Sequence, residues 1–374
     1  MSTAVAFIDM SALQHNYSYI SKLAPDSKVF SVIKANAYGH GLTDIAMALV
    51  GHTDGFAVAR VEEATAIRTV VFGKPILILG GYSSKEELEV ILKGGFFFTI
   101  HNWIQIEWLR SFLTEQSETN IVCGRQIWIK VDTGMHRLGF RDSDIPHVVR
   151  ALRVMGIEDK INLITHYSCA DFPANVHNTK QFSKWEFTVK DCAEDVGYST
   201  ISNSALIFTQ HQYHADWIRP GISLYGSTSF IDDKSEQLVH SVECLRPVMH
   251  FTSKVSSVRY VLEEQPIGYG DENILDQPGW IASIAVGYGD GYPRSARNGT
   301  PVLINGQRAK LLGRVSMDTI TVQLTDGFHA SVGDTVTLWG PGLSVDEVAI
   351  HCNTISYDLL CGISERVRRV VVSG

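Results

Sequence analysis

The chain has 374 residues, a length at which a single hydrophobic core has usually stopped growing, so two domains are expected. Hydrophobic residues make up 45% of it and charged residues 19%, which is ordinary for a folded globular protein and excludes extensive disorder. The formal net charge of -8 argues against a nucleic-acid partner, because such proteins normally carry a basic surface. A small-molecule ligand fits these properties better.

The cysteines and the N-terminus indicate the cellular compartment. No CxxC pair is present, so neither a disulfide framework nor a zinc site is predicted, and we expect reduced thiols at Cys123, Cys169, Cys192, Cys244, Cys352 and Cys361. The N-terminus lacks a basic segment and carries Asp9 inside its only apolar stretch, which is not the pattern of a signal peptide. No apolar run approaches the roughly 18 residues that cross a bilayer. We therefore expect a cytoplasmic protein that binds no membrane.

From about residue 29 to residue 226, short apolar runs alternate with segments of helical periodicity, the pattern typical of parallel βα units. Helices are predicted at Leu42–Val50 and Val61–Val70, the second with Glu62 and Glu63 in its first turn. Eight runs are predicted to be strands: Val29–Ile33, Phe56–Val58, Ile76–Leu79, Phe96–Thr99, Ile127–Val131, Asn162–Ile164, Thr200–Ser202 and Trp217–Arg219. Eight such units predict an α/β fold of the (β/α)8, TIM-type barrel class.

After about residue 240 the pattern changes to alternating strands separated by turns. Asn305-Gly306 between two apolar segments is typical of a type I′ hairpin. The only helix predicted in this part is Val345–Cys352. We therefore predict a barrel domain over residues 11–240 and a C-terminal, mainly β domain over residues 241–374.

Polar residues follow several of the predicted barrel strands. Catalytic groups of barrel enzymes gather at these carboxyl ends, and the loops after the last two strands commonly bind phosphate through backbone N–H groups. The residues found there, together with a nearby glycine and isoleucine, are Lys34, Tyr38, Lys130, Asp132, Arg137, His166, Asn203, Ser204, Arg219, Gly221 and Ile222. A lysine, a phosphate site and an arginine on one rim predict a phosphorylated aldehyde cofactor.

The segment VIKANAYGHG, which contains Lys34, resembles the cofactor-lysine signature of the alanine racemase family. The resemblance continues in chain order through KVDTGMHRLG, THYS, SNSA, RPGISLYG, PIGYGDEN, AVGYGDGYPR, GRVSMD and TISYDLL. It implies a pyridoxal 5′-phosphate (PLP) enzyme that interconverts L- and D-alanine and supplies D-alanine for peptidoglycan precursors. It also implies a homodimer with shared active sites, and a C-terminal β domain that residues 1–10 join.

The resemblance assigns a role to each matched residue. Lys34 would be the Schiff-base lysine and one catalytic base, and Tyr269 of the other subunit would be the second base. Arg219 would face the pyridine nitrogen and keep it unprotonated, because a guanidinium can only donate. The phosphate contacts would be Tyr38, Ser204, Gly221, Ile222 and Tyr357; further cofactor contacts would be His166 and Asn203; the substrate carboxylate would meet Arg137 and the Met317 backbone; and the supporting residues would be Lys130, Tyr288 and Asp318.

Four points of this assignment are left open by the sequence. A tyrosine base near neutral pH needs cationic neighbours, and His166 and Arg219 are the candidates. Lys130 matches a position that is often carbamylated in the family. The resemblance implies that Tyr357 favours alanine over serine as substrate, although a binding pocket discriminates poorly against one extra hydroxyl group. A biosynthetic and a catabolic role are equally compatible with the sequence.

Plainer interpretations exist for the same residues. The tyrosines could be ordinary core or interface side chains, the two arginines structural ion-pair partners, and Lys130 with Asp132 a salt bridge at the barrel rim. His211 and His214 have the spacing of a metal pair, but a solvated loop is expected because no third ligand is evident. The competing functions are a PLP decarboxylase, a non-catalytic PLP carrier and a metal-dependent barrel hydrolase.

Overall fold

The structure is a computed structural model, which describes residues 3–115, 124–228, 230, 242–270, 273–275, 277–325 and 327–373. Its strands form two sheets. Numbered in chain order they are β1 Val5–Asp9, β2 Lys28–Val32, β3 Gly55–Val58, β4 Ile76–Ile78, β5 Phe97–Ile100, β6 Ile127–Asp132, β7 Phe140–Arg141, β8 Ile161–Ile164, β9 Val196–Asn203, β10 Trp217–Arg219, β11 Met249–Val261, β12 Gly279–Ile284, β13 Pro301–Ile304, β14 Gln307–Leu311, β15 Ile320–Gln323, β16 Thr335–Trp339 and β17 Arg368–Val372.

Strands β2–β6 and β8–β10 form a closed parallel barrel, in which β5 pairs with β6 and β10 returns to β2. Every residue of β3, β4 and β8 is buried, because helices cover the outer face of a parallel sheet. This burial explains the short continuous apolar runs, and the predicted (β/α)8 barrel is confirmed. Strand β9 begins at Val196, four residues before the predicted start. The prediction missed these residues because the exposed Tyr198 and a glycine interrupt the apolar pattern of the strand.

The helices lie mainly between the barrel strands. Asp9 ends β1 and caps the first helix by accepting hydrogen bonds from the backbone N–H groups of Ser11 and Ala12. Numbered in chain order the helices are α1 Met10–Leu23, α2 Lys34–Tyr38, α3 Leu42–Leu49, α4 Val61–Arg68, α5 Lys85–Lys93, α6 Trp103–Glu115, α7 Ile145–Val154, α8 Val176–Asp191, α9 Ser204–Thr209, α10 Val345–His351 and α11 Ser356–Cys361. Short 3₁₀ turns include Ile222–Tyr225 and Tyr288–Asp290.

The second sheet is mainly antiparallel, in the order β12-β15-β14-β13-β16-β11-β1-β17. The N-terminal strand β1 lies in this sheet, antiparallel to β11 and parallel to β17. The Asn305-Gly306 hairpin joins β13 and β14 with φ values of 48° and 83°, as a type I′ turn requires. The prediction of a single helix in this part was wrong, because the six-residue α11 is too short to show helical periodicity.

Some predictions fall on segments outside the described residues. The boundary between residues 240 and 241 lies there, so the division into domains stays a prediction. Cys123 lies there as well, whereas Cys192 and Cys352 are buried thiols. Within the described ranges, each helix is too short or too polar to cross a membrane.

Candidate active site

A cavity of about 270 Å³ lies at the carboxyl ends of the barrel strands. Barrel enzymes place their active sites at this end. Aliphatic side chains such as Val32 and Ile164 form part of the wall. The structure brings eleven of the predicted site residues into the lining: Lys34, Tyr38, Lys130, Arg137, His166, Asn203, Ser204, Arg219, Gly221, Ile222 and Tyr357. The cavity is therefore the candidate active site.

Lys34 follows β2 after one intervening residue, Ile33, and lines the cavity together with several cations. Burial, and next the positive charge of Arg137, lower the pKa of Lys34. A lowered pKa raises the fraction of neutral amine at neutral pH. The neutral amine is the form that attacks a carbonyl carbon, so Lys34 is suited to form a covalent bond with an aldehyde.

The four residues after Lys34 form an unusual left-handed turn, with φ values of 51° to 53° from Ala35 to Tyr38. The turn ends at Gly39, which packs against the last turn of α11: a Cβ at Gly39 would lie 2.0 Å from the carbonyl oxygen of Leu360. Arg369 of β17 donates from Nε to the Gly39 carbonyl oxygen at 2.6 Å. This close packing brings α11, and with it Tyr357, to the rim of the barrel.

The loops after β9 and β10 meet at a site suited to phosphate. Ser204 begins α9, and its Oγ accepts a hydrogen bond from the Gly221 backbone N–H at 2.9 Å. Gly221 in turn precedes the short 3₁₀ turn that begins at Ile222. A Cβ at Gly221 would lie 2.5 Å from the Tyr38 hydroxyl oxygen, so glycine keeps this space open. Backbone N–H groups at helix starts are a common phosphate-binding arrangement.

Arg219 crosses the floor of the cavity with only 5% of its surface exposed. Its Nη1 donates to the Thr200 hydroxyl, and its Nη2 donates to the carbonyl oxygens of Thr165 and Ile201 at 2.7 and 3.3 Å. Burial lowers the pKa of Arg219 to about 9, so the guanidinium is still a cation at pH 7. The fixed guanidinium offers a rigid positive donor to a ligand in the cavity.

Lys130 and His166 lie beside Arg219 and respond to its charge. Burial, followed by the charges of Arg219, Arg137 and Lys34, lowers the pKa of Lys130 to about 7. Burial and then Arg219 lower the pKa of His166 well below its ordinary value, so this imidazole is neutral. Of the two cations proposed to favour a tyrosine base, this leaves Arg219 as the charged one at pH 7.

The remaining predicted residues lie elsewhere in the chain. Tyr269, Tyr288 and Met317 are 68%, 42% and 53% exposed, and they do not line the cavity of their own chain. The Tyr288 and Met317 segments lie together, because the Tyr288 N–H donates to the Ser316 carbonyl oxygen at 3.0 Å. Asp318 accepts a hydrogen bond from Arg366, which also pairs with the buried Asp290. The single chain thus carries two separate groups of predicted site residues.

The contacts of Asp132, Arg219 and His214 bear on the plainer interpretations. Asp132 pairs with His136 at 3.0 Å, and no described ion pair joins it to Lys130. The partners of Arg219 given above are uncharged oxygens. The expected solvated loop was wrong for His214, which is 8% exposed and bonds through Nε2 to the Ile207 carbonyl oxygen. Among the described residues, no group of three or more histidine, cysteine or acidic residues could hold a metal ion.

Sequence reasoning missed the residues that hold the predicted ones in place. Thr165 and Thr200 fix Arg219, but nothing in their spacing marks them as partners of a residue from another strand. Glu63 was predicted only as a helix-start carboxylate, yet its Oε1 accepts the Ala35 N–H directly after Lys34. Only the barrel closure brings these residues together.

The fold and the cavity define a barrel protein whose rim offers a nucleophilic lysine, a phosphate site and a group of cations. Comparison with protein families matches residues 8–229 to the alanine racemase N-terminal domain and residues 248–371 to the alanine racemase C-terminal domain. The chain belongs to the alanine racemase family.

Individual relatives cover the whole chain. The alanine racemase of Nitrosomonas eutropha is 41% identical over 368 residues, which is 98% of each protein. The crystal structure of the biosynthetic alanine racemase of Pseudomonas aeruginosa superposes with a TM-score of 0.91 at 39% identity and full coverage of both chains. The alanine racemase of Bartonella henselae with covalently bound pyridoxal phosphate superposes with a TM-score of 0.87 at 28% identity, again over both complete chains.

Proposed function

We propose that this chain interconverts L- and D-alanine with PLP held in the barrel cavity, and that it supplies D-alanine for peptidoglycan precursors. One observation carries the proposal: Lys34, Lys130, Arg137 and Arg219 line the cavity, and no carboxylate occurs among its described lining residues. This excess of positive groups suits a phosphate together with a substrate carboxylate. The names of the relatives support alanine as the substrate.

The residues present fit PLP. The open space at Gly221 and the helix starts at Ser204 and Ile222 would hold its phosphate, with hydroxyl groups from Tyr38 and Tyr357 at the same end of the cavity. Pyridoxal phosphate is described as covalently bound in the Bartonella henselae structure, which supports this choice of cofactor. When bound, the cofactor withdraws electrons from the α-carbon of the amino acid and makes its proton removable.

Lys34 would carry the cofactor, and Arg219 would face its ring nitrogen. Arg219 remains a cation at pH 7 and can only donate, so a ring nitrogen opposite it would stay unprotonated. Lys34 would also move a proton at the α-carbon, because its lowered pKa leaves an amine able to accept one. Racemisation moves a proton off one face of that carbon and returns a proton to the other, and two bases on opposite sides do this most simply.

Tyr269 is the proposed second base, and it would come from a partner chain. Its exposure, together with that of Tyr288 and Met317, leaves a group of site residues outside the cavity of their own chain. A two-fold homodimer would bring this group to the partner's cavity and complete both sites. The Met317 backbone N–H and Arg137 would then hold the substrate carboxylate, and Lys130 would orient Arg137.

Borohydride reduction followed by peptide mapping tests the cofactor site. We expect the purified protein to racemise L-alanine and the reduced cofactor to map to Lys34. A reduced cofactor on Lys130 would contradict the site, and an absence of racemisation in the cofactor-loaded protein would contradict the activity. Initial rates with L-alanine and L-serine test the substrate; a faster reaction with serine would contradict the role of Tyr357 as a determinant for alanine.

A further inference from the structure

The left-handed turn after Lys34 has to be held in place by other parts of the chain. Its residues Ala35, Asn36, Ala37 and Tyr38 all have positive φ, and none is glycine. Residues with a side chain disfavour this conformation because Cβ approaches the following carbonyl oxygen. A run of four such residues persists only where surrounding contacts determine it.

Glu63 makes the contact closest to Lys34. Its Oε1 accepts a hydrogen bond from the Ala35 N–H at 2.6 Å. Its Oε2 accepts from the N–H groups of Ala59 and Arg60 at 2.8 and 3.1 Å. One carboxylate therefore joins the loop after β3 to the first residue of the turn, and it links two neighbouring barrel strands at the rim.

The turn also has a side-chain contact with the segment that follows it. The Asn36 side chain accepts a hydrogen bond from the Leu42 N–H at 2.8 Å, at the start of α3. This bond closes the turn on itself and its following helix. Glu63 is different, because it ties the turn to a separate strand and so fixes its position relative to the barrel.

Glu63 also acts on the charge of Lys34 without entering the cavity lining. Burial and the cations Arg137 and Arg219 lower the pKa of Lys34, whereas Glu63 and Cys361 raise it. Lys130 adds a further cation on the same side of the cavity. Among the described residues that shift the pKa of Lys34, Glu63 is the only carboxylate, and it also makes a direct contact beside Lys34.

We propose that Glu63 is the positioning residue of Lys34: its carboxylate fixes the left-handed turn to the neighbouring strand and so determines where the Lys34 amine enters the cavity. This inference rests on the proposed function only in taking Lys34 as the reactive amine. It requires a carboxylate of this length, because two acceptor oxygens serve three N–H donors.

Two substitutions separate length from charge. Glu63→Gln keeps the length but offers one acceptor oxygen and turns an amide N–H₂ toward backbone donors. Glu63→Asp keeps the charge but is one methylene too short to reach both sets of donors. Glu62→Gln is the matched control, since Glu62 is an exposed carboxylate one residue earlier in the same helical turn.

The full chain without cofactor gives a measurement that does not depend on racemisation. The rate at which it captures PLP covalently is followed by absorbance, and the pKa of Lys34 by NMR of ¹³C-methylated lysine. We expect Glu63→Gln and Glu63→Asp to capture PLP about tenfold to 100-fold more slowly, as small misplacements of a reacting group do. The pKa of Lys34 should fall in Glu63→Gln only. In the loaded protein, kcat should fall more than KM changes.

Each remaining outcome decides the matter. Capture and turnover in Glu63→Gln equal to those of Glu62→Gln would overturn the proposal. Full recovery in Glu63→Asp would also overturn it, because charge alone would then suffice. If Glu63→Gln does not fold by circular dichroism, Glu63→Asp carries the comparison. Slow capture in both variants of a chain that does not racemise alanine would uphold the positioning role and reject the proposed function.

Discussion

Gly221→Ala tests the phosphate site directly. The new Cβ would lie 2.5 Å from the Tyr38 hydroxyl oxygen, about 1 Å closer than an ordinary van der Waals contact. The Tyr38 ring cannot easily retreat, because the rings of Tyr225 and Tyr357 lie 4.9 and 5.9 Å away, centre to centre. The hydroxyl oxygen moves only with its ring, so relieving the contact requires the whole Tyr38 side chain to shift. A shift toward the cavity would bring it into the space where the phosphate would bind.

PLP binding to Gly221→Ala would then have to push Tyr38 back against the new methyl group. Overpacking of this kind costs about 1–3 kcal/mol, which corresponds to an affinity about fivefold to 150-fold weaker. The dissociation constant is measured by titrating the cofactor-free chain with PLP and following absorbance. Gly51→Ala is the matched control, because a Cβ at Gly51 meets nothing within 4 Å.

A second substitution separates this clash from other effects of the methyl group. Tyr38→Phe removes the oxygen at 2.5 Å and leaves a ring carbon at 3.2 Å. Adding Gly221→Ala to Tyr38→Phe should therefore weaken PLP binding much less than adding it to the native chain. Unchanged affinity in Gly221→Ala, or an equal loss in both backgrounds, would refute the reasoning.

Three further predictions address the dimer, the acidity of the cavity and the β sheet. Mixing inactive Lys34→Ala and Tyr269→Phe chains after dissociation should restore about a quarter of the native activity, since about half the dimers are mixed and each has one intact site; no recovery after proven subunit exchange would reject shared sites. Because the pKa of Lys130 is lowered to about 7, its amine is neutral above that pH and should form a carbamate with ¹³CO₂. The carbamate signal in ¹³C NMR should disappear as the pH falls below 7. A signal that is independent of pH, or that persists in Lys130→Ala, would contradict this prediction. Gly306→Ala should lower the free energy of unfolding in urea by about 1 kcal/mol, because φ there is 83° and an added Cβ meets no neighbour; a value equal to that of Gly51→Ala would show that the turn is not strained.

The barrel was predictable from the sequence because its strands are buried on both faces. Burial of every residue in β3, β4 and β8 produces short apolar runs that stand out between amphipathic helices. The Asn305-Gly306 hairpin was predictable from its two residues alone, since few residue types tolerate positive φ at both positions of the turn. The helix α11 was missed, because its six residues complete fewer than two turns.

The sequence by itself determined the barrel-plus-β architecture and the family, because these follow from residue types in fixed local order. The tertiary structure alone decided the protonation states and the relative positions of the site residues. Closing the barrel brings Arg219, Lys130 and His166 from three strands into one cavity, where burial, and next the charge of Arg219, lower the pKa of His166 well below its ordinary value. The same closure sets Glu63 beside the residue after Lys34. Distances between residues far apart in the chain determine both effects, and no local pattern encodes such distances.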